Sequence, residues 1–220
     1  MRIKRCNTAF TLVEMLVVVA VIAILVTIVI SVVSRLDTQG RINRTQNTIA
    51  LLNTALSEFH DYGFTYAAGT QYANLRFPID CNDGNNGFSQ SDTQTALQNA
   101  IPNVTNVAIN LNAGLTYNIH WSGTVAMYFL LNQVPSCRQT VERLDTKSIV
   151  SSGTIVVTES SGTTTYPFIY IVDAWGRELG YKYYHCAGLV IDADTIKTFP
   201  VIISAGPDGI FDTRDDIKSR

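Results

Sequence analysis

Four aspartates lie close together near the C-terminus of this 220-residue chain, within the segment SAGPDGIFDTRDDI (204–217). Carboxylates at this density repel one another unless they are solvated or bound to a hard cation such as calcium, which takes about six to eight oxygen ligands. The proline and two glycines of the segment allow the backbone to curl, so that acids separated in sequence can converge. The segment is not an EF-hand, because the sixth position counted from Asp208 is Thr213 and no glutamate closes the loop. A solvated acidic tail is the alternative interpretation.

A second unusual acid, Glu14, interrupts an apolar run of 21 residues from Phe10 to Ile30. A helix of about 20 apolar residues can cross a bilayer core of about 30 Å. A carboxylate within such a span costs about 2.5–3.5 kcal/mol on insertion scales. The sequence therefore predicts that a partner compensates the charge of Glu14, with exposure to water or lipid headgroups as the alternative.

The residues before this run resemble the start of a secretory signal peptide, since they contain Arg2, Lys4 and Arg5 and no acid. The apolar run is longer than the core of a cleaved signal peptide, and no small-residue cleavage site follows it. The basic residues place the N-terminus in the cytoplasm and the remaining chain outside. We therefore predict a leader at 1–9 and a transmembrane helix half at 10–30 that acts as a single-pass anchor.

A helical pattern continues beyond the apolar run. Its apolar positions have spacings of 7, 3, 4 and 3 and so define one face of a helix, with Thr45 in the same seam: Ile42, Ile49, Leu52, Leu56 and Phe59. The sequence Asp61-Tyr62-Gly63 supplies a stop, because glycine suits a left-handed C-terminal cap. Anchor and amphipathic half (31–62) are predicted to form one helix of about 50 residues, whose second half packs on a soluble domain.

The string F-T-L-V-E at residues 10–14, preceded by a basic leader and a small residue, resembles the type IV pilin-like proteins, including pseudopilins of type II secretion systems. The resemblance implies that a prepilin peptidase cuts between Ala9 and Phe10 and methylates the new amine. It also implies that Glu14 pairs with that amine on a neighbouring subunit during filament assembly. The family usually has glycine before the cut, whereas this chain has Ala9.

Two C-terminal strings are similar to the major pseudopilin of type II secretion. One is D-x-W-G at 173–176, and the other is the S-x-G-x-D-G…D-D-I pattern of the acidic segment. The resemblance implies calcium as a cofactor, with ligands from the carboxylates of Asp208, Asp215 and Asp216 and from carbonyls near Ala205 and Thr213. Asp212 is an extra acid, for which ligation, a water-mediated contact and a solvent-facing position all stay open.

The predicted fold class is α+β: a long N-terminal helix packed on a C-terminal antiparallel β-meander, with a long variable insert between them. Strand patterns occur at 166–172, 179–185 and 199–204, so 166–220 is predicted to hold the meander and the calcium-type loop. Trp175 is interpreted as a core aromatic beside a turn. The connecting region 63–165 is predicted to contain a helix capped by Asp92 and a buried helix or strand at 121–131.

Composition and spacing argue against other functions. The net charge of −2 argues against a nucleic-acid surface, which would need a basic patch or stripe. His60, His120 and His185 are isolated, and Ser122 lacks a nucleophile elbow, so a membrane-anchored hydrolase is a distant alternative. Of the cysteines beyond the leader, Cys81 and Cys137 are the first choice for a disulfide, and three unpaired thiols including Cys186 are the alternative.

The resemblance therefore implies a structural subunit of a periplasmic pseudopilus, not an enzyme. Its implied partners are further copies of itself in a helical filament, the prepilin peptidase, minor pseudopilins and the inner-membrane secretion platform. Its implied location is the inner membrane, with a cytoplasmic N-terminus and a periplasmic C-terminal domain. A type IV pilus subunit used in adhesion, motility or DNA uptake is the nearest alternative.

Overall fold

The computed structural model describes residues 12–81, 87–183 and 198–219, and its architecture is α+β. The chain divides into two compact units, Met1–Gly40 and Arg41–Arg220. The predicted processing residues Ala9 and Phe10 lie outside the described residues. The helices and strands below are numbered in chain order.

Helix α1 (Leu12–Tyr62) is one continuous helix of 51 residues, as the hydrophobic pattern predicts. Gly63 follows the last residue of the helix and has a φ of +69°. Its N–H donates to the carbonyl of His60 over 3.2 Å. The predicted apolar stripe is confirmed, because Ile42 packs partly buried against the core and the other positions are buried: Thr45, Ile49, Leu52, Leu56 and Phe59. The last turns of α1 are therefore stabilised by packing against the rest of the second unit.

The first half of α1 carries many exposed apolar side chains, including Leu12, Leu16 and Leu25. Among the residues that the structure describes, no helix has a stretch both long enough and apolar enough to cross a bilayer. The predicted transmembrane half at 10–30 is therefore not confirmed, and it stays a prediction. Glu14 lies in the first turn of α1 and is exposed.

In the described part of the predicted variable region, the structure has three shorter α-helices. They are α2 (Gln90–Ala100), α3 (Ser122–Leu131) and α4 (Pro135–Val141). The N-cap of α2 is Ser89 and not Asp92, because the Ser89 hydroxyl accepts the N–H of Asp92 one turn into the helix. Helix α3 resolves the open alternative at 121–131 in favour of a helix, and nine of its ten residues are buried.

Two three-stranded antiparallel sheets replace the predicted single meander. The first has the order β1 (Val104–Leu111), β2 (Ile149–Glu159) and β3 (Gly162–Ile171), and the second has the order β4 (Gly180–Lys182), β5 (Val201–Ser204) and β6 (Ile217–Lys218). The meander prediction is wrong at its first strand, because 166–171 pairs with β2. A turn of two residues joins β2 to β3, so their pairing closes a very short loop. The pairing of β4 with β5 is as predicted.

The core of the second unit is a continuous cluster formed by the buried stripe of α1, helix α3 and residues of both sheets. The Trp121 ring stacks on Tyr170 at 4.5 Å between ring centroids. The predicted Cys81–Cys137 disulfide is wrong, because Cys137 is a free thiol; both cysteines are buried. The Cys137 thiol donates instead to the carbonyl of Ala55 in α1, while Cys186 lies outside the described residues.

Candidate functional site

The acidic loop, which we define as residues 205–216, is anchored by the buried side chain of Asp173. One carboxylate oxygen of Asp173 accepts the backbone N–H groups of Trp175 and Arg177 at 2.9 and 3.0 Å. The other oxygen accepts the Ser204 hydroxyl at 2.7 Å, directly before the loop. Only 1% of Asp173 is exposed, so these three donors replace the water that its charge has lost.

The turn that begins at Asp173 also contacts α1. The Ala174 N–H donates to the Thr45 hydroxyl over 3.1 Å, and the Ala174 carbonyl accepts from the Arg41 guanidinium at 3.5 Å. Trp175 packs partly buried against the hydrophobic core, in agreement with its predicted role as a core aromatic. This turn, residues 173–177, therefore joins the amphipathic half of α1 to the start of the acidic loop.

Arg177 positions the first residues of the loop. Its guanidinium donates to the carbonyl of Gly206 at 2.6 Å and lies 3.3–3.4 Å from that of Pro207. Gly206 has a φ of +61°, and a Cβ added there would lie 2.2 Å from the carbonyl oxygen of Asp215. A side chain at this position would therefore force the two ends of the loop apart.

The predicted ligands form two pairs in the loop. In one pair, the Asp208 N–H donates to a carboxylate oxygen of Asp215 over 3.0 Å; in the other, the Asp212 N–H donates to Asp216 over 3.0 Å. Thr213 contributes its hydroxyl, 2.6 Å from Asp215, and the carbonyl of Ala205 accepts from Gly209. The loop thus brings all of the predicted residues into one short segment.

Asp216 is the least exposed of these carboxylates, with 2% of its side chain exposed. One oxygen lies 3.3 Å from the Lys218 ammonium and accepts the Asp212 N–H. The other oxygen, Oδ1, is buried and has no hydrogen-bond partner within the described residues. A buried carboxylate oxygen without a donor is costly, and a cation would satisfy it.

The pKa of the Asp215 carboxyl is held below its ordinary value, first by the Thr213 hydroxyl and then by the N–H of Asp208. Asp215 therefore stays ionised to a lower pH than an ordinary aspartate, and the associated stabilisation is lost only as the pH falls through this lowered pKa. In the described ranges, however, no group of three or more His, Cys, Asp or Glu side chains is arranged to hold a metal ion. The two pairs are close in sequence but do not form one ligand cluster.

Ser122 is a structural residue in this fold. Its hydroxyl lies 2.7 Å from the carbonyl of Ile119 and 2.9 Å from that of Cys81, and it accepts the N–H of Phe88. These contacts tie the start of α3 to the chain around Cys81, and they direct the hydroxyl hydrogen to a carbonyl.

A cavity of about 340 Å³ lies beside Ser122, lined by residues that include Glu178 and Phe211. The Glu178 carboxylate is held there by the Trp121 indole and Asn118.

Sequence reasoning missed Asp173, Ser204 and Arg177 as determinants of the loop. The signal for Asp173 was present, because aspartate at the start of a turn commonly binds N–H groups two residues on. Ser204 and Arg177 carried no local signal, since their partners lie 31 and 29 residues away in the sequence.

Comparisons with known proteins identify the N-terminal part of the chain. The searches of curated proteins and of solved structures found no match to the chain. Residues 4–30 match the family model of the prokaryotic N-terminal methylation motif. This match includes the F-T-L-V-E string and Glu14, and it agrees with the resemblance seen in the sequence. The chain therefore carries, at residues 4–30, the prokaryotic N-terminal methylation motif that is the signature of type IV pilins and pseudopilins.

Proposed function

We propose that this protein is a structural subunit of a periplasmic pseudopilus in a type II secretion system. The observation that carries the proposal is the methylation motif at residues 4–30, which overlaps the start of the continuous 51-residue helix α1. Proteins with this motif are processed by a prepilin peptidase and assemble as structural subunits, without a catalytic role. The acidic loop supports the secretion system over a type IV pilus, because its sequence is similar to that of the major pseudopilin.

The exposed apolar side chains of α1 support assembly through this helix. Between Leu12 and Leu36, the large apolar side chains that the structure describes are between about half and four fifths exposed, including Val13 and Leu16. Burial of apolar surface contributes about 25 cal/mol per Å², so a row of such residues is stable only when lipid or other helices cover it. We propose that lipid of the inner membrane covers them before assembly and that helices of neighbouring subunits cover them in the filament.

Prepilin processing provides the first test. Mass spectrometry of the protein extracted from membranes should find an N-terminal, methylated Phe10. The Ala9→Gly variant, which restores the residue usual in the family, should be processed at least as completely as the parent. An intact Met1 terminus, or a cut beyond residue 30, would contradict the pilin-like assignment.

The type of system is tested separately. Deletion of the gene should leave secreted enzymes in the periplasm, and the cells should keep their surface fibres. If the deletion instead removes a surface fibre and leaves secretion intact, the protein is a type IV pilus subunit.

We further propose that the acidic loop binds calcium. The buried, unpartnered Oδ1 of Asp216 and the ionised Asp215 are the residues that fit a hard cation, with Asp208 as the third carboxylate and carbonyls at Ala205 and Thr213 as candidate ligands. Calcium would supply a positive charge that stabilises the loop. Binding requires the two aspartate pairs to converge.

Thermal unfolding of the full chain in detergent, in calcium and in chelator, tests this proposal. A cation bound only by the folded state adds RT ln(1 + [L]/Kd), which is about 2.7 kcal/mol at a hundredfold excess over Kd. Magnesium should substitute poorly, because it demands near-octahedral geometry. The Asp215→Ala, Asp216→Ala double variant should lose the calcium increment, whereas Asp145→Ala, in an exposed turn elsewhere, should keep it. Equal melting of the parent in calcium and chelator would contradict the proposal.

A further inference from the structure

Three glutamines on one face of α2 bind the open edge of the first sheet. The side-chain amides donate to backbone carbonyls of β1: Gln90 to Ile109 at 2.8 Å, Gln94 to Val107 at 3.1 Å and Gln98 to Thr105 at 2.7 Å. We call these three residues the glutamine ladder. Because the residue numbers of the helix rise as those of the strand fall, α2 runs antiparallel to β1.

The spacing of the ladder matches the strand. Four residues of a helix advance by about 6 Å, and two residues of a strand advance by about 6.7 Å. Successive glutamines at i, i+4 and i+8 therefore face successive carbonyls at j, j−2 and j−4. The carbonyls of Val107 and Ile109 point away from β2, because alternate residues of a strand direct their backbone groups to opposite edges. The carbonyl of Thr105 lies at an irregularity of the β1–β2 register between Val104 and Asn106. The ladder thus binds the groups that a further strand would use.

The sequence of β1 makes this edge unusual. Edge strands commonly carry a lysine, a proline, an inward-pointing charge or a β-bulge that prevents pairing with another chain. The register of β1 with β2 is irregular between Val104 and Asn106, and the pairing from Asn106 to Leu111 is regular. β1 has the sequence VTNVAINL, which contains no charge, proline or glycine and is rich in β-branched residues. Such segments pair readily with copies of themselves. The opposite edge strand, β3, contains Pro167, which lacks a backbone donor.

We propose that the glutamine ladder protects β1 from strand pairing with β1 of a second copy. The protection replaces the charge or proline that β1 lacks. A second copy is the relevant partner, because its β1 has the same uncharged sequence and two identical strands can pair antiparallel about a two-fold axis. This function is independent of how the N-terminal helix assembles.

A ladder variant with Gln90→Ala, Gln94→Ala and Gln98→Ala tests the proposal in the full chain in detergent. The matched control is Ser91→Ala, Thr95→Ala and Asn99→Ala, which changes exposed residues with the same spacing one position along α2. The readouts are thioflavin T fluorescence and the intermolecular β band in the infrared amide I region, which association through helices does not change. We expect a severalfold rise of both signals for the ladder variant, and parent-like signals for the control.

A rescue variant distinguishes edge pairing from general loss of structure. Adding Thr105→Lys to the ladder variant places a charge on the exposed edge of β1 and should return both signals to the parent level. Hydrogen exchange at the amides of β2, the central strand, checks that the sheet persists. If the amides of β2 exchange faster in the triple variant than in the parent, the same two signals are measured for the single variant Gln94→Ala, which should also show a rise. Two results would overturn the proposal. One is a folded ladder variant whose thioflavin T fluorescence and intermolecular β band equal those of the parent, and the other is a rise of these signals that Thr105→Lys does not reverse.

Discussion

The Glu14→Ala variant should be processed before Phe10 but should fail to form filaments. Under the proposed function, the carboxylate of Glu14 pairs with the amine that cleavage creates on a neighbouring subunit. Removing it leaves that amine as an uncompensated charge in an apolar environment, where breaking one partner of a buried pair costs about 3–5 kcal/mol. Since about 1.4 kcal/mol corresponds to tenfold in an equilibrium constant, we expect a loss of assembly of at least about a hundredfold.

The measurement is the yield of filaments after shearing and sedimentation, together with electron microscopy. Thr27→Ala is the matched control, because Thr27 lies in the same apolar stretch and its hydroxyl donates within the helix, to the carbonyl of Ile24 at 2.7 Å. It should assemble like the parent. Membrane insertion of Glu14→Ala should become easier, because the cost of the charge disappears. Normal filaments from Glu14→Ala would show that the pairing argument is wrong.

The Asp173→Ala variant should be the most destabilising change near the acidic loop. It removes the acceptor of three donors at once, from Trp175, Arg177 and Ser204. Each buried donor left without a partner costs about 1–3 kcal/mol, so we expect a loss of at least about 3 kcal/mol. For a chain of this size, this lowers the melting temperature by about 6–12 °C.

The structure offers a closely matched control for Asp173. Asp145 also caps a turn with its carboxylate, which accepts the N–H of Lys147 at 3.0 Å, but its side chain is 42% exposed. Asp145→Ala should therefore cost only about 1 kcal/mol. Asp173→Asn should be intermediate, since it keeps one acceptor oxygen for the two N–H groups. Similar melting temperatures for the alanine variants of Asp173 and Asp145 would show that the buried network contributes little.

Helix α1 and the processing signal are the parts that the sequence determines by itself. The apolar stripe from Ile42 to Phe59 predicts the buried face, and Gly63 predicts the end of the helix, because helical hydrogen bonds join residues only four apart. The methylation motif is likewise a contiguous string, so it is recognisable at residues 4–30 without the fold. The density of aspartates after Ser204 is also visible in the sequence alone.

Strand partners, by contrast, are decided by the tertiary structure. The composition of 166–172, rich in residues that favour strands, predicts a strand, but it does not say which strand lies beside it. The partner, β2, has a weak pattern that includes two serines and a glycine. The two central residues of its hairpin turn, Ser160 and Ser161, are not the Asn-Gly or Asp-Gly pair that usually marks such turns. The sequence therefore predicts a meander that joins 166–172 to 179–185. Within the described residues, the structure instead places an isolated bridge between Val172 and Glu178, next to the second segment.

The site shows the same division. The sequence predicts that Asp208, Asp212, Asp215 and Asp216 lie in one loop, whereas the structure sorts them into two pairs through backbone N–H donors. Likewise, α2 is predictable as a helix, but the binding of its glutamines to β1 depends on placing the helix along that strand. Local patterns specify which backbone conformation a segment adopts, because neighbouring residues alone make those contacts. Which segments pack together depends on how all the apolar faces of the chain can be buried in one core, and residues far apart in the sequence contribute to that burial.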